Sequence, residues 1–425
     1  MLFVSGFIIE GGYSLSGEIS VQGAKNAVLP ILAAAAINGE KNVIHNCPRL
    51  RDVEKTAEVL RGLGCEAEFS GNTITVNSAP MRCYTIEESL MRQMRSSIIF
   101  LGAIIARCGE AVVSMPGGCE IGIRPIDIHL KALRSMGVSV KEDNGYILCR
   151  AGKLKGKEIH LDFPSVGATE NIILASLFAD GKTVITNAAR EPEIVDLQKF
   201  LTSMGADIKG AGSGSITICG GKRLSGVEYS VMPDRIAAGT YLVCCGCAGG
   251  EIYLKNACPE DMTSILSKLS DMGADIRTDK NSIYMSSSGR LKSFGSIRTM
   301  PYPGFPTDMQ SLFTALACSA DGTAIVTENI FENRFQNAEE LARMGADIHI
   351  DGKTAVIVGV ERLHGAVVHS RELRGGASLI AAALGADGKT TVVNTDYIDR
   401  GYEQIEKNLS DCGAHIERKA EIDGI

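Results

Sequence analysis

The sequence predicts an α/β (α+β) protein of two similar domains, each built from three βαβαββ repeats around buried helices. Two observations predict it. First, the phrase Leu-x-x-(Met/Leu/Cys)-Gly closes a helical stretch six times: LRGLG (60–64), LRSMG (133–137), LTSMG (201–205), LSDMG (269–273), LARMG (341–345) and LSDCG (409–413). The final glycines, Gly64, Gly137, Gly205, Gly273, Gly345 and Gly413, are 73, 68, 68, 72 and 68 residues apart, and a fixed period is the mark of a repeat architecture. Second, 425 residues are too many for one core. Units of roughly 70 residues are small for independent domains, whereas three together reach about 200, a usual domain size.

Each element of the repeat has a local reason. A leading strand is followed by a small, Ala-rich apolar helix that ends in a turn such as NGE (38–40), DGK (180–182), DGT (321–323) or DGK (387–389). A β-branched strand comes next, as in TVIT, AIVT or TVVN. The amphipathic helix after it stops at the capping glycine, the residue suited to a left-handed C-terminal cap. A short hairpin completes the unit, as in ADIKGAGSGSITICG and ADIHIDGKTAVIVG. The chain divides near residue 232, giving three-repeat halves of 22–232 and 233–425. The first strand-like stretch, FIIEGGYSLSGEIS, precedes the first helix and can pair with either half.

Composition narrows the function classes. A net charge of −7 argues against general nucleic-acid binding, and the lack of Trp with only 5% aromatics argues against a single-strand stacking platform. Thirteen cysteines are scattered, many in apolar helix patterns such as Cys244, Cys245 and Cys318, so no metal site is expected and most read as buried free thiols. No signal peptide is read, and AVLPILAAAAI (27–37) is too short to span a membrane. A cytoplasmic protein with no membrane or nucleic-acid partner is expected; oligomeric state leaves no visible signature.

Two slots recur in every repeat. The start of the Ala-rich helix carries GAKNA (23–27), MRSS (94–97), SVGATEN (165–171), PDRIAAGT (233–240), PTDMQS (306–311) and LRGGAS (373–378). The joint between the next strand and helix carries CPRLRD (47–52), PGGCEIGIRP (116–125), AAREPEIVD (188–196), ACPEDM (257–262), NIFENRF (329–335) and DYIDRGYE (396–403). Both are read as helix N-termini, where free N–H groups and the dipole favour anions. Lys25, Arg95, Arg124, Arg334, Arg374 and Arg400 add cations there. If both domains point these ends at one cleft, the cleft suits a ligand with carboxylate and phosphate groups. The alternative is ordinary first-turn polarity and surface ion pairs.

The second repeat departs from its siblings. From turn glycine to capping glycine the others span 23 to 25 residues, but Gly109 to Gly137 spans 28, with Cys119 in or next to the insertion. A glycine-rich insertion reads as a mobile loop or lid. A thiol beside Arg124 is expected to be acidified, and to serve as either nucleophile or proton donor. No histidine adjoins it, and His129 is one turn into the next helix, so a Cys–His pair has little support. Asp308 opens a first-slot helix where siblings carry Lys25 and Arg95; it reads as an N-cap or as a general base kept ionised by nearby cations.

GAKNAVLPILAAAAI, MRSSIIFLG, PGGCEIGIRPIDIHL, SVGATENI, AAREPEIVDL, PDRIAAGTY, YPGFPTDMQ, IFENRF and YIDRGYE together resemble, in order, the motifs of the UDP-N-acetylglucosamine enolpyruvyl transferases of peptidoglycan synthesis. The likeness runs from about residue 3 to about 418. It implies the family's inside-out barrel fold, an active site in the interdomain cleft, and an N-terminal strand that joins the second domain, which is then 1–21 with 233–425. It also implies the substrates phosphoenolpyruvate and UDP-N-acetylglucosamine (UDP-GlcNAc), with no cofactor beyond a pyruvate-derived adduct that can form on Cys119. Cys119 would protonate the methylene carbon of phosphoenolpyruvate. Lys25, Arg124 and Arg400 would hold its phosphate and carboxylate, with Arg95, Arg334 and Arg374 lining the site. Asn26 and Asp308 would bind the sugar, and Asp308 would take the proton from its 3-hydroxyl. Arg124, Pro125, Ile126, Asp127 and His129, with Ser165, Val166 and Gly167, would bind the uridine diphosphate, and Ile330 would line the site. Closure over UDP-GlcNAc would bring the Cys119 loop over the substrates.

Some members carry lysine at the position of Phe163, so that nucleotide contact is not carried over. Others have aspartate in place of the loop cysteine; with Cys119 present, alkylation by the epoxide antibiotic fosfomycin is expected. The nearest rival, 5-enolpyruvylshikimate-3-phosphate synthase, would show a Ser-Lys-Ser type motif in place of GAKNA and no PGGC loop. A non-catalytic nucleotide-sugar sensor is a third reading, opposed by the retention of Cys119, Asp308, Lys25 and the arginines.

Overall fold

The six capping glycines do what their position requires. In the computed structural model, which describes residues 5–115, 126–287 and 289–422 and only the backbone of Gln93, Arg95 and Ser96, their φ values lie between 88° and 104°. An L side chain is strained in that region, whereas glycine is not.

The third repeat shows the common pattern. Its leading strand Glu158–His160 runs parallel to Lys182–Thr186, which pairs antiparallel with Ser215–Cys219, and Asp207–Lys209 closes the edge. The same order recurs in four other sheets. Two of them exchange leading strands: Glu228–Ser230 lies parallel to Lys41–His45, while Leu15–Ser20 lies parallel to Gly250–Lys255. The N-terminal stretch therefore splits. Its first strand, Gly6–Glu10, sits between Lys389–Val393 and His415–Lys419, antiparallel to both. The sixth repeat thus has no hairpin of its own, and the start of the chain supplies its last strand. The second repeat departs differently: its leading strand is reduced to a bridge between Thr85 and Val112, leaving a three-stranded sheet.

Two compact units result. One joins the residues up to Gln22 with those from Pro233 onward; the other spans Gly23 to Met232. In the Gly23–Met232 unit the helices Lys25–Ala35 and Val166–Ser176 are buried along almost their whole length, and Phe100–Cys108 is buried from Phe100 to Ile105. Arg235–Ala248, Gln310–Cys318 and Leu373–Leu384 do the same in the other unit. A helix buried on every side has no polar face to reserve, which explains the Ala-rich composition. Small residues let the axes approach: a Cβ on Gly102 would lie 2.3 Å from the Asn171 carbonyl oxygen. Among the described residues no helix is long and apolar enough to cross a membrane.

Candidate active site

In the Gly23–Met232 unit, Lys25 is the first residue of its helix. Its Nζ lies 2.7 Å from Oδ2 of Asp52, in the first turn of the helix Arg51–Gly62, and both residues are buried. The pairing answers two problems at once. A buried ammonium needs a counter-charge, and an acid in a first turn is favoured by the helix dipole. Asn26, next along the chain, is exposed. Arg95 begins the 3-10 turn Arg95–Ile99, but its side chain lies outside the described residues, as do Cys119, Arg124 and Pro125.

Ile126 and Asp127 open the helix Asp127–Ser135, half-buried and exposed respectively. His129 is buried one turn further on. Burial pushes its imidazole down to about 4, with the Asp127 charge acting in the opposite direction. Asn171 Nδ2 donates to His129 Nδ1 over 2.8 Å and to the Ile98 carbonyl over 3.0 Å, while its Oδ1 accepts from the Gly102 amide over 2.6 Å. Ser165 caps the next buried helix by accepting from the Ala168 amide over 3.3 Å. Val166 and Gly167 form its first turn, and a Cβ on Gly167 would stand 3.1 Å from His129 Cε1. His129, Ser165, Val166 and Gly167 are thus brought together, and the phenyl ring of Phe163 is exposed nearby in sequence.

In the other unit the focus is Asp308, within the 3-10 turn Thr307–Met309. Arg334 Nη2 donates to its Oδ1 over 2.9 Å and Arg374 Nη2 to its Oδ2 over 3.3 Å. Both arginines are 2% exposed, so two guanidinium groups leave water to meet one carboxylate. Nε and Nη1 of each have no protein acceptor among the described residues. Buried N–H donors of this kind are costly unless a ligand or water completes them, and guanidinium suits carboxylate and phosphate. Burial opposes the charge of Arg374, but Tyr402, Asp308 and Asp234 outweigh it and raise its pKa further. The guanidinium stands over the Tyr402 ring at 5.3 Å, and the Tyr402 and Thr240 hydroxyls share a hydrogen bond of 2.9 Å.

Helix starts position some of these groups and not others. Arg374 is in the first turn of Leu373–Leu384, capped by Glu372, whose carboxylate accepts from the Arg374 and Gly375 amides. Arg334 precedes the helix Asn337–Arg343 and lies in a non-helical connection. Arg400 ends the 3-10 turn Thr395–Arg400 instead of beginning a helix. The expected six cationic helix N-termini are therefore corrected for these two. The reason for Arg334 is Glu328, buried at 1%, which sequence reading missed. Glu328 Oε1 accepts from the Ile330 and Phe331 amides over 2.8 and 3.0 Å, and its Oε2 accepts from the Thr307 hydroxyl over 2.9 Å. It ties the Asp308 turn to the segment carrying Ile330 and Arg334. Asp52 and Asn171 were likewise missed; the available signal was a polar residue inside an otherwise apolar or cationic motif.

The twelve described cysteines are all free thiols. Burial pushes the thiol of Cys245 up to about 12, and that of Cys318 higher still, so neither is a nucleophile.

Comparison with known proteins follows the same outline. A family model described as EPSP synthase (3-phosphoshikimate 1-carboxyvinyltransferase) matches residues 9–409. The chain is 52% identical over 412 residues to UDP-N-acetylglucosamine 1-carboxyvinyltransferase 2 of Caldanaerobacter subterraneus subsp. tengcongensis, covering 97% of this chain and 99% of the relative. It is 49% identical over 416 residues to UDP-N-acetylglucosamine 1-carboxyvinyltransferase of Nitratidesulfovibrio vulgaris, with 97% and 99% covered. Among solved structures, the enolpyruvyl transferase NikO from Streptomyces tendae superposes with a TM-score of 0.89 at 23% identity, covering 98% of this chain and 99% of that one. EPSP synthase from Acinetobacter baumannii superposes at 0.76 with 21% identity, covering 98% and 100%. These two likenesses establish a shared fold.

Proposed function

The chain belongs to the enolpyruvyl transferase family, that of EPSP synthase (3-phosphoshikimate 1-carboxyvinyltransferase), and from that premise we propose that it transfers the enolpyruvyl group of phosphoenolpyruvate to the 3-hydroxyl of UDP-GlcNAc. The observation that carries the choice of acceptor is identity of 52% and 49%, over 97% of the chain, to relatives whose names specify UDP-GlcNAc. GAKNA in the first slot, in place of a Ser-Lys-Ser type motif, supports the same choice.

The reaction is an addition followed by an elimination. The sugar hydroxyl attacks C2 of phosphoenolpyruvate while Cys119 delivers a proton to the methylene carbon. The tetrahedral ketal then loses phosphate from C2 together with a proton from the newly formed methyl group, which restores the carbon–carbon double bond as the enol ether. Asp308 accepts the hydroxyl proton: Arg334 and Arg374 keep its carboxylate ionised, and the group is partly exposed to an incoming substrate. Lys25, Arg124 and Arg400 hold phosphate and carboxylate, Arg95 lines the site, and Asn26 holds the sugar. Cations fixed around the ketal stabilise the charge that develops there. His129, Ser165, Val166 and Gly167, with Ile126 and Asp127, take the uridine diphosphate, where helix N–H groups suit phosphate oxygens. No cofactor enters this sequence, although Cys119 can become covalently attached to the pyruvate-derived carbons. The product feeds peptidoglycan precursor synthesis, and hence cell shape and division, in the cytoplasm.

The test is phosphate release from phosphoenolpyruvate with UDP-GlcNAc compared with shikimate 3-phosphate. Release with UDP-GlcNAc alone is expected. Release only with shikimate 3-phosphate reassigns the acceptor, and release with neither removes the catalytic reading.

A further inference from the structure

We propose that Asn171 is a positioning residue that fixes the tautomer of His129, so that the ring presents Nε2–H as a neutral hydrogen-bond donor beside the N-terminus of the helix Val166–Ser176. The Gly102 amide can only donate, so the Asn171 atom 2.6 Å from it must be the oxygen. The Ile98 carbonyl can only accept, so the atom 3.0 Å from it must be the nitrogen. These two backbone groups set the orientation of the amide without reference to the histidine. Asn171 then has one N–H left, and it points at His129 Nδ1 over 2.8 Å. A proton on Nδ1 would set donor against donor in a site where Asn171 is fully buried. Nδ1 therefore keeps its lone pair and Nε2 carries the proton.

That proton has a defined neighbourhood. A Cβ on Gly167 would lie 3.5 Å from Nε2, so the ring edge faces the first turn of the Val166–Ser176 helix. The amides of Val166 and Gly167 are among the first four of that helix and have no carbonyl a turn earlier within it. A ring N–H beside helix N–H groups selects an acceptor oxygen and rejects a donor. Among the described residues Asp127, on the histidine's own helix, is the charged group that acts on it, and it opposes the loss of charge caused by burial. Identifying the acceptor as an oxygen of the UDP-GlcNAc nucleotide rests on the function proposed above; the tautomer does not.

The experiment is a long-range 15N–1H spectrum of the full chain labelled at its 7 histidines, with the His129 signals assigned by their loss in His129→Asn. An unprotonated Nδ1 and a protonated Nε2, unchanged from about pH 5.5 to 8.5, are expected. A protonated Nδ1 or an imidazolium pattern in the wild type overturns the proposal. Asn171→Asp keeps an acceptor for Gly102 and places an oxygen opposite Nδ1. It is expected to draw the proton there, so that the Kd for UDP-GlcNAc rises about tenfold between pH 6 and 8.5 as Nε2 is deprotonated. A structural role alone would give a pH-independent change, and that result overturns the proposal. In Asn171→Asp/His129→Asn the pH dependence should vanish, because an amide has no tautomer to lose. If Asn171→Asp does not fold, the wild-type spectrum still decides. If the wild type does not bind UDP-GlcNAc, the proposed function fails and the spectrum continues to test the tautomer.

Discussion

Replacing Asp308 with asparagine leaves two buried guanidinium groups facing a neutral amide. Arg334 and Arg374 lose contacts of 2.9 and 3.3 Å to the carboxylate oxygens. Charge centres roughly 4 Å apart interact by about 4 kcal/mol at an effective dielectric constant near 20. The Asp308 side chain is 26% exposed, and the asparagine oxygen still accepts from one arginine, so the net loss falls to about 3 kcal/mol, the low end for breaking a buried pair. For a unit of about 200 residues, this lowers the melting temperature by roughly 6–12 °C. The assay is calorimetry of Asp308→Asn beside Asp308→Asn/Arg374→Gln, which removes one orphaned cation and should recover part of the loss. Phosphate release should fall about 10²–10⁴-fold in both variants, because restored packing does not restore a base. A melting temperature within 1 °C of wild type, or phosphate release that recovers with the second substitution, would refute the reasoning.

Three further outcomes are expected. Incubation with fosfomycin should stop phosphate release and add the mass of the drug to the peptide carrying Cys119; full turnover with an unmodified peptide rules that assignment out. The folded-state pKa of His129 is lowered to about 4 from 6.5, so the unfolded chain binds its proton first as pH falls. Stability is then unaffected above about pH 6.5 and declines by about 3 kcal/mol as pH drops to 4, and urea melts of wild type minus His129→Gln should show that slope; parallel curves count against it. Gly102→Ala sets a methyl 2.3 Å from the Asn171 carbonyl oxygen, and the forced separation of the two helices should cost about 3 kcal/mol, read as a lower urea midpoint; an unchanged midpoint shows that the helices can part freely.

Repeat count, capping glycines and buried helices were legible because each rests on local chemistry repeated six times. What escaped was non-local. Nothing in FIIEGGYSLSGEIS states that Gly6–Glu10 completes a sheet with Lys389–Val393 and His415–Lys419, since its alternation suits any sheet edge. A signal did exist at the second slot and went unread. Asn46, Asn187, Asn256 and Asn394 each take a positive φ where a strand ends, a conformation that asparagine tolerates better than most residues. Their side chains reach back to the carbonyls of Val231, Leu161, Val21 and Ser370, pinning the leading strand. At the site, the cations and Asp308 could be read from sequence, but Asp52, the partner of Lys25, and the buried Glu328 could not. Asp52 and Glu328 look like ordinary surface acids until folding removes their water.

Those partners bear on whether the cations are structural or functional. A helix dipole favours acids in the first turn and disfavours bases, yet Lys25 and Arg374 occupy first turns and are buried. Each needs a neighbouring carboxylate, Asp52 or Asp308, to be tolerated there. An apolar residue of similar size would often serve stability as well as such a pair or better. A sibling slot demonstrates the cheaper solution: Ser165 simply caps its helix. Lys25, Arg374 and, beside its cap Asp234, Arg235 therefore hold a buried base against the local preference, and Nε and Nη1 of Arg374 have no protein acceptor among the described residues. Strain of that kind at selected copies of a repeat is what anion binding requires and what packing alone does not explain. If Lys25→Met raised the stability of the protein while abolishing its affinity for phosphoenolpyruvate, that division of labour would be measured directly; a loss of stability with affinity intact would assign the lysine to the scaffold instead.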